Sequence, residues 1–110
     1  MNIAKKLFNP QQLPQATLTL YTVPAKTKCV LKALVASNTS NVVRSVAVYL
    51  ITAGDAAGDQ NTIAKTLNVP ALTAIQIPGV ANLVLDGGDF IQATADQAGI
   101  TLFGAGLEVS

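Results

Sequence analysis

From Ala16 to the C-terminus, apolar and polar residues alternate along the chain, and turn-forming residues break the alternation about every 8–12 positions, the spacing of a sandwich or barrel. Ala16–Val23 (ATLTLYTV) alternates Thr with Leu and ends at Pro24. Lys28–Asn38 (KCVLKALVASN) sets Cys29, Leu31, Ala33 and Val35 on one face and a mixed set, Lys28, Val30, Lys32 and Leu34, on the other. The polar run Ser37–Asn41 predicts a hairpin loop, after which Val42–Thr52 puts Val46, Val48 and Leu50 opposite Ser45, Ala47 and Tyr49. Ala53–Gln60 reads as a flexible loop. Further strands are predicted over Asn61–Leu67 (apolar face Ile63 and Leu67), Leu72–Ile77, Ala81–Leu85, Phe90–Ala95 and Ile100–Val109, with Asp86-Gly87-Gly88-Asp89 as a tight turn. No segment holds a 3.6-residue period over three turns. The expectation is an all-β fold: an antiparallel β-sandwich, jelly-roll-like or immunoglobulin-like, of seven to eight strands.

Residues 1–15 read differently. Pro10 and Pro14, with Gln and Asn, surround a short apolar cluster of Ile3, Leu7 and Phe8. This predicts an N-terminal arm over 1–15, a short helix or an extended strap laid on a neighbour, and a single sandwich domain over 16–110. Deleting the arm is then expected to leave a folded domain that no longer assembles.

Composition narrows the function. Half of the 110 residues are apolar and 12% are charged, against about 25% in an average soluble domain. A surface so poor in charge points to one that neighbours cover, hence to a homo-oligomer or a part of a larger assembly. Seven basic residues, scattered along the chain, balance six acidic ones, which disfavours nucleic acid as a partner. No stretch reaches the ~20 apolar residues of a membrane span, and no signal-peptide pattern follows Lys5 and Lys6, so a soluble protein made inside the cell is expected. Cys29 is the sole cysteine and sits in an apolar alternating run, where a buried packing thiol is expected.

Catalytic chemistry finds little support. The chain has no histidine, so the commonest general base and metal ligand is missing, and no cofactor or metal is expected. Neither a nucleophile elbow nor a phosphate-binding loop is present. Asp86 and Asp89, or Asp55 and Asp59, could pair for calcium or acid–base work, but Asp-Gly-Gly-Asp is first of all a turn sequence. The expectation is a protein that is not an enzyme.

Several stretches carry a resemblance. Leu13-Pro14, Thr19–Lys28 (TLYTVPAKTK) and Val30–Ser40, followed by Leu83–Ala93 (LVLDGGDFIQA), resemble small β-sandwich virion proteins of tailed bacteriophages, most of all capsid decoration (cement) proteins. The motifs span most of 13–95; the loop at 53–61 departs from the pattern. The resemblance implies localisation in the virion and, as partners, the major capsid protein or other virion proteins, with tail, neck or fibre as other stations. The contact residues expected on this reading are Ile3, Leu7 and Phe8 in the arm, with Tyr49 or Tyr21 in a second patch. A receptor- or carbohydrate-binding module is the rival. It is disfavoured by five aromatics and no tryptophan.

Overall fold

The computed structural model describes residues 2–97 and 99–109, with the side chains of Asn2, Lys5 and Gln11 excepted. Among the described residues nine strands form: β1 (Asn2–Gln12), β2 (Leu18–Thr22), β3 (Lys28–Asn38), β4 (Arg44–Ile51), β5 (Thr62–Val69), β6 (Thr73–Gln76), β7 (Leu83–Leu85), β8 (Phe90–Ala95) and β9 (Ile100–Val109). One sheet, here sheet A, runs β1-β9-β3 and is completed by β6 and β7, which pair with successive parts of β3. Sheet B runs β2-β8-β4-β5. Because β6 and β7 share one edge, broken at Pro78-Gly79, the nine strands occupy eight positions.

The pairings nest: β4 with β5, β3 with β6 and β7, β2 with β8, β1 with β9. A ribbon folded back at the β4–β5 loop and then rolled up gives this order, which is the jelly-roll wrap; the immunoglobulin-like alternative drops out. Only β4–β5 is a hairpin of sequential neighbours within sheet B. The Ser37–Asn41 run, expected to close a hairpin, and the tight turn at Asp86–Asp89 both carry the chain from sheet A to sheet B. Their turn chemistry is as the sequence predicts, but the strand each feeds is chosen by pairing with distant segments.

The segment expected to be an arm is instead a strand at the edge of sheet A. Asn2–Gln12 pairs antiparallel with β9 from Asn2↔Val109 to Gln12↔Thr101. Leu7 and Phe8 are buried in the core. They fit because β9 has glycines opposite them. A Cβ on Gly104 would come 3.0 Å from the Phe8 ring and 2.5 Å from Leu34 Cδ2; one on Gly106 would come 3.2 Å from Leu7 Cδ1. Removing 1–15 would therefore open the sandwich rather than trim it. Met1 lies outside the described residues.

The core fills the space between the sheets with Leu31, Leu34, Val46, Val48, Ile91, Ile100 and Leu102, all essentially inaccessible. Burying such a side chain contributes about 1.5–3 kcal/mol. Strand β4 presents Val46 and Val48 inward as its alternation predicts. In β3 the alternation slips. A bulge between Leu31 and Ala33 adds one residue, so Cys29 and Leu31 point inward, then Leu34 and Ala36, while Ala33 and Val35 turn outward. A register shift in β5 likewise buries Ala64 and Val69 and leaves Ile63 and Leu67 partly buried.

Candidate docking surface

Residues opposite one another in adjacent strands share a face, so the strand register reads out the outward surface of each sheet. On sheet A one row runs Val84–Val30–Leu107–Ala4 across four strands. The next holds Ala33, Ala105 and Lys6, and a third Gln76, Val35 and Phe103. Val84 is 57% exposed and Phe103 37%, with Ala4 and Ala105 also exposed. Polar residues enter these rows at Lys6 and Gln76, on the outer strands, and otherwise sit toward the ends, Ser37 and Thr101 at one and Lys28 at the other, with Lys32 at the bulge. Carboxylates are absent from the middle of this face among the described residues: Glu108 of β9 faces inward, where its Oε2 accepts a hydrogen bond from the Tyr21 hydroxyl.

Sheet B presents a different surface. Its central row is Thr19–Gln92–Tyr49–Thr62, with Gln92 Nε2 donating to Thr19 Oγ1 at 2.8 Å. Ser45, Thr66, Asn68 and Thr94 surround it. An antiparallel sheet with one wet face has this polar exterior. Sheet A is instead largely apolar on both faces.

The ends of the sandwich differ too. At one, the β1–β2, β3–β4, β5–β6 and β8–β9 loops meet. Leu13 N donates to Ile100 O, Thr39 N to Gly99 O, Leu72 N to Ser40 O and Gln15 Nε2 to Asp96 O. Asn38, the sole buried polar residue among those described, ties them together. Its amide donates to Val42 O and Val69 O, while Oδ1 accepts from Ser40 N and Oγ. This clamp holds Val42, Val43 and Leu72 out in solvent; Leu72 is 73% exposed and has a φ of +55°.

The other end carries Lys26, Lys28, Asp55, Asp59, Asp86 and Asp89. Asp86 forms a 2.6 Å ion pair with Lys28, and that hydrogen bond raises the lysine pKa above its ordinary value. Asp89 Oδ1 and Oδ2 accept from the backbone N–H groups of Ala53 and Asp86. The Asp-Gly-Gly-Asp carboxylates thus hold the turn and a neighbouring loop. Among the described residues no group of three or more His, Cys, Asp or Glu side chains could hold a metal ion.

The residues expected to make contacts are scattered. Leu7 and Phe8 are inside, Ile3 is exposed at the start of β1, and Tyr49 is half-buried in the middle of sheet B. Tyr21 faces the core; burial, and then the Glu108 hydrogen bond, push its hydroxyl pKa far up. The sequence reading missed Val84, Phe103, Ala105 and Leu107. Their signal was present in KCVLKALVAS and ITLFGAGLEV, whose strands are apolar at both odd and even positions.

No family profile matches the chain, and no curated protein matches its sequence. Among solved structures, a chain in the structure of infectious bursal disease virus strain Gx overlays on 98% of this chain with a TM-score of 0.51 at 16% identity. A chain from the Gt strain does so with a TM-score of 0.48 at 15% identity, again over 98%. The chain spans 31% and 32% of the length of those two viral chains. At this identity the likeness is one of fold, and it supports the two-sheet sandwich derived above.

Proposed function

We propose that this protein is a structural component of a virus particle, a capsid decoration or cement protein that acts by docking and carries out no reaction. The outward face of sheet A carries the reading. Three cross-strand rows of mostly aliphatic side chains lie in the open on a chain otherwise able to build a polar exterior, as sheet B shows. Such a face gains free energy only when another surface covers it. The sequence resemblance to phage decoration proteins adds the kind of assembly, and the fold shared with a chain of a virus structure agrees with it. On a shell, many copies make the same contact, so each can be modest and the sum still hold.

The lysines on the face, Lys6, Lys28 and Lys32, favour a capsid surface with carboxylates around an apolar patch. The test is to strip the protein from purified particles of the virus that encodes it with mild chaotrope, then add it back. Wild-type chain is expected to rebind at a fixed copy number and restore heat resistance, and a Val84→Lys/Phe103→Lys variant to do neither. Particles that never contain the chain, or a double variant that rebinds fully, would overturn the proposal.

A further inference from the structure

Strand β1 is held in the sandwich by contacts that a second copy of the chain can supply equally well. It is an edge strand of sheet A and, among the described residues, pairs with β9 alone. Its ladder is interrupted between Lys6 and Phe8 and again between Phe8 and Gln11, and Pro10 has no N–H to add to it. What seats the strand is Leu7 and Phe8 in the sockets over Gly106 and Gly104 of β9, backed by Leu34 of β3. None of these partners is near β1 in the chain. The connection to β2, Pro14–Thr17, is exposed throughout. It is held to its own body by hydrogen bonds from Ala95 N to Pro14 O and from Gln15 Nε2 to Asp96 O.

We propose that two copies of this chain exchange β1, each strand lying along the β9 of the other copy, with Pro14–Thr17 as the hinge. The contacts of β1 up to Leu13 are then remade with identical residues, including the Leu13 N to Ile100 O hydrogen bond. Closed and exchanged forms therefore differ in the hinge and in what the two bodies newly bury. With the hinge extended, β1 runs away from β2 instead of doubling back across the ~10 Å between the sheets. Four extended residues span at most about 14 Å, so the two bodies must abut at the end where the hinge lies. That end carries Val42, Val43 and Leu72 in solvent, and a second body there would cover them. The outward rows of sheet A stay complete, with Ala4 and Lys6 contributed by the other copy, so the exchange stands or falls separately from particle binding.

The experiment refolds the full chain from urea at low and at high concentration and separates the products by size-exclusion chromatography. A dimer fraction is expected at high concentration and should persist on dilution, because return requires β1 to leave its socket. Lys6→Cys/Ala105→Cys puts thiols on two exposed residues in register across β1 and β9. Cys29 is buried and stays, with free thiols blocked before electrophoresis. After oxidation the dimer fraction should run as two linked chains without reductant and as one chain with it, while the monomer fraction runs as one chain in both. Hinge length gives a second reading that does not depend on the bridge. Inserting Gly-Ser-Gly-Ser after Ala16 lets β1 fold back without constraint and should lower the dimer share about tenfold or more. A chain that refolds only as monomer at millimolar concentration, a dimer whose bridges close within each chain, or a dimer share indifferent to the insertion would overturn the exchange. All of this is read without particles, so its failure leaves the cement reading where it stands.

Discussion

The outward faces of the two sheets come from one chain with the same strand spacing, yet they solve different problems. Sheet B shows water threonine, serine, glutamine and asparagine, which satisfy themselves by local hydrogen bonds such as Gln92 to Thr19. Sheet A shows it Val84, Val30, Leu107, Phe103 and Ala105. Both sheets send large apolar side chains into the shared core, so the difference between them lies in their outer faces. A sheet that only had to fold could carry the threonine face on both sides. In a chain with 12% charged residues, that aliphatic face is the surface the proposed docking would cover.

The largest expected effect concerns whether β1 belongs to sheet A at all. Phe8→Ala should lower unfolding free energy by about 3–5 kcal/mol in urea titration, because it empties the space above Gly104. If residues 1–15 were a free arm, the same change would leave stability untouched. Gly104→Val tests the socket from the opposite side and should cost about 1–3 kcal/mol by overpacking against Leu34 and Phe8.

That socket shows what the sequence could and could not reveal. The strands β3, β8 and β9 have the bounds that alternation predicts, Lys28–Asn38, Phe90–Ala95 and Ile100–Val109, because period-two patterning is local. The fate of Ile3, Leu7 and Phe8 was not local: the glycines that admit two of them lie about a hundred residues further on. The bulge at Lys32 and Ala33 was equally hidden, since one extra residue leaves no trace in composition yet exchanges the faces of everything after it. The docking surface was half legible. Doubly apolar strands could be seen, but which apolar face had no cover required the register.

A smaller effect tests the seam between the sheets. Tyr21 of sheet B reaches Glu108 of sheet A. Its hydroxyl is held protonated well above the ordinary 10.0, so between that pH and the folded pKa the unfolded chain has fewer protons than the folded one. Stability from this group is intact below pH 10 and falls as pH rises beyond it, by up to about 1.4 kcal/mol per unit. Comparing wild type with Tyr21→Phe in alkaline denaturation isolates that slope from lysine titration, and the variant should lack it. Equal slopes would mean that the two sheets are not joined through this hydroxyl.

The smallest expected change in stability sharpens the opening comparison most. Val84→Thr on sheet A and Thr94→Val on sheet B exchange a methyl for a hydroxyl in opposite senses at outward positions. Neither touches the core, so each should stay within about 0.5 kcal/mol of wild type by thermal unfolding. Their effects on docking should differ. Threonine at position 84 gives the aliphatic row a hydroxyl that a covering surface must desolvate without a partner, which weakens binding to stripped particles by a factor of about ten. Valine at position 94 lies on a face that this reading leaves in water, so binding is unchanged. If Thr94→Val weakened binding and Val84→Thr did not, sheet B would be the contact surface, and the exposed aliphatic rows of sheet A would need another explanation.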